Sequence, residues 1–197
     1  VDRVLTQAWQ RLPVPAHSAL VAVGGYGRGA LFPCSDIDLL ILTESGGAAG
    51  HDLRIERLIG TFWDIGLEVG HSVRPPSQCV ELAAQDITIQ TSLLEARWLC
   101  GDRALFRRFQ REFKEALDPE LFFKAKQLEQ AQRHERFRDT NLEPNLKEFP
   151  GGLRDLHHLS WISRAGGGSS MSMTWRGGVI DLPVPGTPGP PPPPGGL

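Results

Sequence analysis

The sequence predicts an α/β fold in which a small sheet with flanking helices precedes a helical region and a Pro/Gly-rich tail. Three observations lead to this class. Short apolar runs rich in Ile, Leu and Val, typical of buried strands, occur in the first 75 residues. The charged segments after residue 101 repeat their apolar residues at helical spacing. The final segment, 166–197, holds half of the 16 prolines and few charges, so it cannot build a core.

The sheet is predicted from three runs of residues. A helix over 2–12 comes first and ends before Pro13. The run 19–25 (ALVAVGG) then enters glycines as a buried strand, and 36–43 (DIDLLILT) is a second strand. The run 67–74 (LEVGHSVR) is a third strand, which the two following prolines bring to an end.

Helices are predicted between and after these strands. The segment 53–66 is an amphipathic helix ended by a glycine, and we expect its apolar face to be buried. The residues on that face are Ile55, Leu58, Ile59, Phe62 and Trp63. After residue 74 only helices are predicted, over 77–85, 86–99, 102–117, 119–139 and 155–164.

These elements divide the chain into a sheet domain over 1–100, a partial helical linking region over 101–165 and a disordered tail over 166–197. At the start of the last helix, Arg154 and Asp155 are expected to pair with each other and to cap the helix. The tail is predicted to be disordered or locally polyproline II, and no chemical role is assigned to it.

Composition and charge exclude several classes of function. Lys and Arg number 21 and Asp and Glu number 23, a formal net charge of −2, which argues against a general nucleic-acid-binding surface. The three cysteines have no paired spacing, which favours a reducing compartment such as the cytoplasm over a disulfide scaffold. No signal peptide or membrane-spanning helix is predicted. Because the chain starts at Val, we expect a fragment.

A glycine-rich loop follows the first strand. Gly24 and Gly25 come directly after it, and such glycines let a ligand approach the bare backbone N–H groups. Backbone amides in a loop of this kind, or at a short helix that follows it, favour phosphate. Arg28 can supply a forked cation to a polyphosphate, and Ser35 can add a hydroxyl contact.

Two other nucleotide-binding motifs are excluded by spacing. The stretch 25–30 (GYGRGA) formally fits the dinucleotide fingerprint, but Pro33 and the next strand follow too soon for the crossover helix that the fingerprint requires. No Lys follows the glycines, so the loop is not a P-loop either.

Two acidic residues stand at the start of the second strand. Because side chains two residues apart in a strand point to the same face, Asp36 and Asp38 are predicted to lie side by side at one end of the sheet. Adjacent carboxylates repel each other unless a cation neutralises them. Hard oxygen ligands of this kind suit Mg²⁺ or Mn²⁺, so the pattern predicts a metal site beside the phosphate loop.

A strand, a Gly-Gly pair and an Asp-Ile-Asp motif eleven residues beyond the second glycine together resemble the polymerase-β-like nucleotidyltransferases. Four segments in order extend the likeness to one family, the bacterial PII uridylyltransferase/uridylyl-removing enzymes, which are nitrogen sensors. They are GGYGRGALFPCSDIDLLIL (24–42), WDIGLEVGHSVR (63–74), SLLEARWLCGD (92–102) and NLEPNLKEFPGGLRDLHHLSWI (141–162). The resemblance covers about residues 1–164.

The resemblance implies an activity and a set of site residues. The activity is transfer of UMP from UTP to a tyrosine of the PII signalling protein, with release of pyrophosphate and dependence on Mg²⁺ or Mn²⁺. Asp36 and Asp38 would bind the metal, and a third carboxylate, acting as metal ligand or base, is assigned to Glu68 with Asp86 as the alternative. The nucleotide contacts would be Gly24, Gly25, Arg28 and Ser35.

The chain also departs from that family. The family's uridylyl-removing and glutamine-sensing domains do not fit within 197 residues, Ala30 stands where a Glu is common, and the resemblance ends after Arg164. Two alternatives therefore remain open: a nucleotide- or PII-binding remnant without turnover, or a nucleotidyltransferase with another base or acceptor.

Overall fold

The computed structural model describes residues 1–31, 35–44, 53–137 and 146–166, together with the backbone of 171–175 and 178–182. The chain forms two compact units, Val1–Leu117 and Asp118–Leu197. The first unit extends to Leu117 because the helix Arg103–Ala116 packs against the sheet.

The first unit contains the sheet and most of the helices. Its elements in chain order are α1 (Asp2–Arg11), β1 (Ser18–Ala22), the one-turn helix α2 (Gly24–Gly27), β2 (Ile37–Thr43), α3 (Leu53–Asp64), β3 (Val69–Arg74), α4 (Pro76–Gln85), α5 (Ile87–Leu94), β4 (Arg97–Gly101) and α6 (Arg103–Ala116). The second unit contains α7 (Pro119–Arg136), α8 (Leu153–Ala165), β5 (Met171–Trp175) and β6 (Gly178–Leu182).

The four strands of the first unit form one sheet in the order β3-β2-β1-β4. Strand β1 runs antiparallel to both β2 and β4, whereas β2 runs parallel to β3. The α/β prediction and its three strands are thus confirmed. The prediction of one helix over 86–99 is wrong at its end, because the chain forms strand β4 from Arg97. The strand has only five residues and follows α5 after Glu95 and Ala96, so its own pattern is too short to stand out.

Helices cover both faces of this sheet, and the two central strands are therefore almost wholly apolar. One cluster joins α1 and α3 to residues such as Leu20, Leu39 and Ile41. The other joins α4 and α6 to residues such as Val21 and Leu40. In β2 every residue is buried except Asp38. Asp38 thus interrupts a strand that is otherwise buried and apolar up to Thr43.

Helix α3 departs from the prediction at one residue. Its apolar face is buried as expected, with Ile55, Leu58, Ile59 and Phe62 in the core. Trp63, which we predicted on the same face, is 55% exposed. It lies at the margin of the apolar stripe and in the last turn of the helix, where the chain leaves the core for β3.

The second unit is organised around one carboxylate. Asp155 accepts hydrogen bonds from Gln130 (3.0 Å), from Arg133 and from the Gly151 N–H (2.7 Å), and it pairs with His134 at 3.0 Å. The expected cap is absent, because Gly152 is the N-cap residue of α8 and no described side chain makes a capping hydrogen bond there; Asp155 instead accepts from the N–H of Gly151, which precedes the cap. The expected pairing of Arg154 with Asp155 is wrong, because neighbouring helical residues point apart, and Arg154 pairs instead with Glu148 at 2.7 Å.

A short hairpin lies within the segment that the sequence predicted as a disordered tail. Strands β5 and β6 pair antiparallel, from Met171 opposite Leu182 to Trp175 opposite Gly178. Thr, Val and Ile in these stretches favour extended backbone. The proline-rich stretch 183–197 lies outside the described residues.

Candidate active site

One end of the sheet brings three predicted acidic residues to a common cleft. Asp36, Asp38 and Glu68 line an open cleft of about 630 Å³, together with Trp63, Gly66, Leu67, Val69 and Gly70. The register explains the convergence. The Ile37 N–H donates to the Glu68 carbonyl at 3.0 Å, and Asp38 lies directly opposite Gly70 in the parallel β2–β3 pair. Ile37 and Val69 are buried on one face, so the alternate residues point to the other.

Asp38 lies between two glycines that leave room for its carboxylate. A Cβ at Gly24 would stand 3.2 Å from Asp38 Oδ2, and a Cβ at Gly70 would stand 3.2 Å from Asp38 Oδ1. Partial burial against this backbone, and secondly the negative charge of Asp36, raise the pKa of Asp38. The carboxylate pair is thus destabilised in its ionised form and is suited to receive a cation.

The glycine loop folds as the one-turn helix α2 at the same end of the sheet. The Val23 N–H donates to the Asp38 carbonyl at 3.0 Å, which ties the start of the turn to β2. Gly24 has φ +56°, a conformation that side-chain-bearing residues rarely adopt. The first N–H groups of a helix have no acceptor within it, so those of Gly24 and Gly25 are placed to receive an anion.

Glu95 holds the far end of this turn. Arg28 Nη1 donates to both of its carboxylate oxygens, at 2.5 and 2.6 Å, and the Glu95 side chain is only 1% exposed. The backbone also comes close, because a Cβ at Gly27 would stand 2.2 Å from the Glu95 carbonyl oxygen. Arg28, predicted as a triphosphate contact, therefore already has a buried carboxylate partner.

A second network braces the same turn. Tyr26 donates its hydroxyl to Asp2 at 2.5 Å, and Arg97 donates to Asp2 at 2.6 Å and to the Gly27 carbonyl at 3.2 Å. The Arg97 hydrogen bond lowers the pKa of Asp2, and burial followed by the hydrogen bond to Asp2 raises the pKa of Tyr26. Sequence reasoning missed Glu95 and Arg97. Both lie in the segment 92–102, which carried the family resemblance, but nothing local links them to residues about 70 positions earlier.

The remaining predicted residues occupy different places. Ser35 is half-buried and directly precedes Asp36. Asp86, the alternative third carboxylate, is exposed and caps α5, where its side chain accepts from the Thr88 N–H at 2.6 Å and the Ile89 N–H at 3.4 Å. These hydrogen bonds lower the pKa of Asp86, and it is not among the residues that line the cleft.

The chemistry of the acidic residues fits a divalent metal held jointly by protein and substrate. Among the described residues, no three His, Cys, Asp or Glu side chains are grouped closely enough to hold a metal ion by themselves. Asp36 and Asp38 offer adjacent oxygen donors instead. Mg²⁺ is commonly bound in this way, through one or two carboxylates, substrate phosphates and water.

The described residues include two of the three cysteines. Cys79 and Cys100 are buried free thiols, and burial raises their pKa values, to about 12 and about 11. Cys34 lies outside the described residues. Within the same residues, none of the helices combines the length and the apolar character needed to cross a bilayer.

Comparison with protein families yields two matches. Residues 3–85 match the family described as "Nucleotidyltransferase domain". This range includes the glycine turn, both aspartates and Glu68. Residues 121–177 match the family described as "GlnD PII-uridylyltransferase". The second match continues past Arg164, where the sequence resemblance had been expected to end.

Individual relatives agree with these matches. "Bifunctional uridylyltransferase/uridylyl-removing enzyme" proteins from Burkholderia orbicola (strain AU 1054) and Burkholderia mallei (strain SAVP1) are each 55% identical over 177 residues, which is 89% of this chain. The chain spans 20% of the length of those relatives. A solved structure titled "Crystal structure of the toxin-antitoxin with AMP-PNP" covers 70% of this chain and 96% of its own, at 14% identity and a TM-score of 0.38, too distant to support an inference.

The resemblance inferred from the sequence is thus confirmed by two independent family matches and by relatives at 55% identity. The chain carries a nucleotidyltransferase domain and, over 89% of its length, is similar to the bifunctional uridylyltransferase/uridylyl-removing enzymes.

Proposed function

We propose that this chain transfers UMP from UTP to a tyrosine of the PII signalling protein and releases pyrophosphate. The observation that supports this most is the close approach of the carboxylate pair to the phosphate turn, with Asp38 Oδ2 3.2 Å from the place of a Gly24 Cβ. A triphosphate on the turn would therefore have its reacting end beside the acidic residues. The choice of UTP and PII rests on the relatives, since none of these residues is placed to select a base.

In this proposal the binding roles follow the positions of the groups. Asp36 and Asp38 hold Mg²⁺ or Mn²⁺, and such an ion, when bound, stabilises negative charge on the phosphates. The backbone N–H groups of Gly24 and Gly25 bind the phosphates that become pyrophosphate. Arg28 contacts the triphosphate while its Nη1 stays on Glu95. The nucleotide contacts are completed by Ser35, which directly precedes Asp36.

Glu68 is assigned to the acceptor. The tyrosine oxygen attacks the α-phosphorus, the bond from that phosphorus to the bridging oxygen of the β-phosphate breaks, and pyrophosphate leaves. Glu68 lines the same cleft as the aspartates and accepts the proton of the hydroxyl. Asp86 is not assigned this role, since its carboxylate is occupied in capping α5.

The cysteines and the net charge support a compartment and a class of acceptor. Free, buried Cys79 and Cys100 fit a reducing compartment, and we assign the protein to the cytoplasm. The net charge of −2 favours a protein acceptor over nucleic acid.

The test is pyrophosphate release from UTP with Mg²⁺ and purified PII, for this chain and for the Asp36→Asn/Asp38→Asn variant. We expect release that requires PII, prefers UTP to ATP and is abolished in the variant. Release with ATP in preference to UTP would indicate another nucleotidyltransferase. UTP or PII binding without any release, from a chain that unfolds cooperatively, would leave a binding function in place of the transferase.

A further inference from the structure

We propose that Trp63 is the docking contact for the acceptor: its ring packs against the segment of PII that carries the reacting hydroxyl. This inference rests on the proposed function and names the part of the cleft that the acceptor uses. It assigns a role to a residue that sequence analysis placed in the core.

Trp63 is exposed but held in a fixed orientation. Its side chain is 55% exposed, and its indole Nε1–H donates to the Val69 carbonyl at 3.3 Å. The ring also meets the His71 ring edge-on, with 5.9 Å between centroids. A large apolar ring kept in water by a hydrogen bond presents a preorganised surface, and Trp is enriched among the residues that dominate binding to protein partners.

The order of the strands places Trp63 on the acceptor side. The phosphate turn follows β1, Asp38 is on β2, and Glu68 and Trp63 flank the start of β3, so the groups are arranged in that order across the sheet. In an in-line displacement the attacking oxygen and the leaving pyrophosphate lie on opposite sides of the phosphorus. With pyrophosphate on the β1 side, the hydroxyl enters over β3.

The floor between Glu68 and Trp63 leaves space for a peptide. Gly66 and Gly70 both line the cleft and are both exposed. Among the described residues, a Cβ at Gly66 would meet no atom within 4 Å, and a Cβ at Gly70 would meet only the Asp38 carboxylate. An aromatic acceptor residue can therefore lie against Trp63 while its hydroxyl extends toward Glu68.

The first experiment compares the effect of Trp63 substitutions on the KM for PII and on the KM for UTP. Trp63→Ala is expected to raise the KM for PII about tenfold or more, the loss associated with an exposed aromatic at the centre of an interface, and to leave the KM for UTP within about twofold. Trp63→Phe keeps a ring and is expected to restore most of the loss. Leu53→Ala, which removes another exposed apolar side chain from α3, is the matched control. A raised KM for UTP with an unchanged KM for PII would overturn the proposal and place the ring against the base.

A binding measurement keeps the inference separate from catalysis. In the Asp36→Asn/Asp38→Asn background, PII binding is measured by calorimetry with and without Trp63→Ala. Weaker binding in the Trp63→Ala chain supports the docking role even where no pyrophosphate is released, a result that would count against the proposed function alone. Equal binding by both chains, or no binding of PII by either, overturns the docking role.

Discussion

Arg28 and Glu95 form an ion pair in which a single guanidinium nitrogen donates to both carboxylate oxygens, at 2.5 and 2.6 Å. The carboxylate is 1% exposed and the guanidinium side chain 18% exposed. Removing one partner of a pair this deep is costly, because a buried charge loses the group that directly neutralises it. Since Arg28 ends the glycine turn, the pair also couples the turn to the segment between α5 and β4.

Glu95→Gln is expected to destabilise the first unit by about 3 kcal/mol, the lower end for a broken buried pair, because Arg28 keeps some contact with water. Urea unfolding measures the change. The Arg28→Gln/Glu95→Gln double variant should recover part of the loss, since it removes both members of the pair together. Glu112→Gln, which breaks the half-exposed pair with Arg108 on α6, serves as the control and should cost no more than about 0.5 kcal/mol. A Glu95→Gln effect as small as the control would show that the pair contributes little.

Gly27→Ala is expected to destabilise the fold by about 2 kcal/mol, because the new Cβ would meet two backbone oxygens that cannot move aside cheaply. Those atoms are the Glu95 carbonyl oxygen at 2.2 Å and the Ala22 carbonyl oxygen at 2.9 Å. Gly60→Ala is the matched control. It lies within α3, where no described residue comes within 4 Å of the new Cβ, and the substitution should stabilise by about 0.5–1 kcal/mol through helix propensity. The two substitutions should thus change the free energy of unfolding in opposite directions. Equal changes would contradict the close packing at Gly27.

Mn²⁺ or Mg²⁺ is expected to raise the melting temperature of the wild-type chain through Asp36 and Asp38. At a metal concentration tenfold above the Kd, ligand linkage amounts to about 1.4 kcal/mol. Asp38→Asn should abolish the shift and should itself stabilise the metal-free protein, because it relieves repulsion with Asp36. Asp64→Asn, an exposed carboxyl at the end of α3, should retain the metal response. A shift that persists in Asp38→Asn would place the ion elsewhere.

Glu68→Gln is expected to lower the rate of catalysis, whereas Asp86→Ala is expected to lower stability through the loss of a helix cap. Glu68→Gln should lower the rate of pyrophosphate release about 100-fold or more, as loss of a general base does, with little change in stability. Asp86→Ala should cost about 1 kcal/mol by removing the cap of α5 and should leave the rate nearly unchanged. The opposite result, a large rate loss at Asp86 alone, would move the third carboxylate to that position.

His158 is expected to make the second unit less stable below neutral pH. Burial, followed by the positive charge of Lys126, lowers the pKa of this imidazole from its ordinary value of 6.5. The unfolded chain therefore binds a proton that the folded chain does not, so the stability present above pH 6.5 decreases as the pH falls toward the lower, folded value. Unfolding measured between pH 8 and about pH 5 should show this slope, and the uncharged His158→Gln should flatten it. An identical slope in the variant would assign the effect to another group.

The sequence was sufficient for the features that depend on local pattern. Alternation placed Asp36 and Asp38 on one face, and apolar runs identified β1, β2 and β3. Features that depend on distant partners were beyond its reach. Strand β4 is defined by pairing with β1, and the bracing role of Glu95 exists only because the fold brings it to Arg28. Trp63 was misplaced because one residue at the edge of a helical stripe can face either the core or solvent.

The glycine turn is held by residues that lie far from it in the sequence. Residues 24–28 leave the ribosome before the residues that hold them, Glu95 and Arg97, which lie 67 or more positions later. During synthesis Asp36 and Asp38 thus emerge before the turn beside them can be fixed. A nascent chain that has not yet formed β4 should bind metal more readily than nucleotide, and local opening of β4 in the finished protein should release the turn before it disturbs the carboxylates.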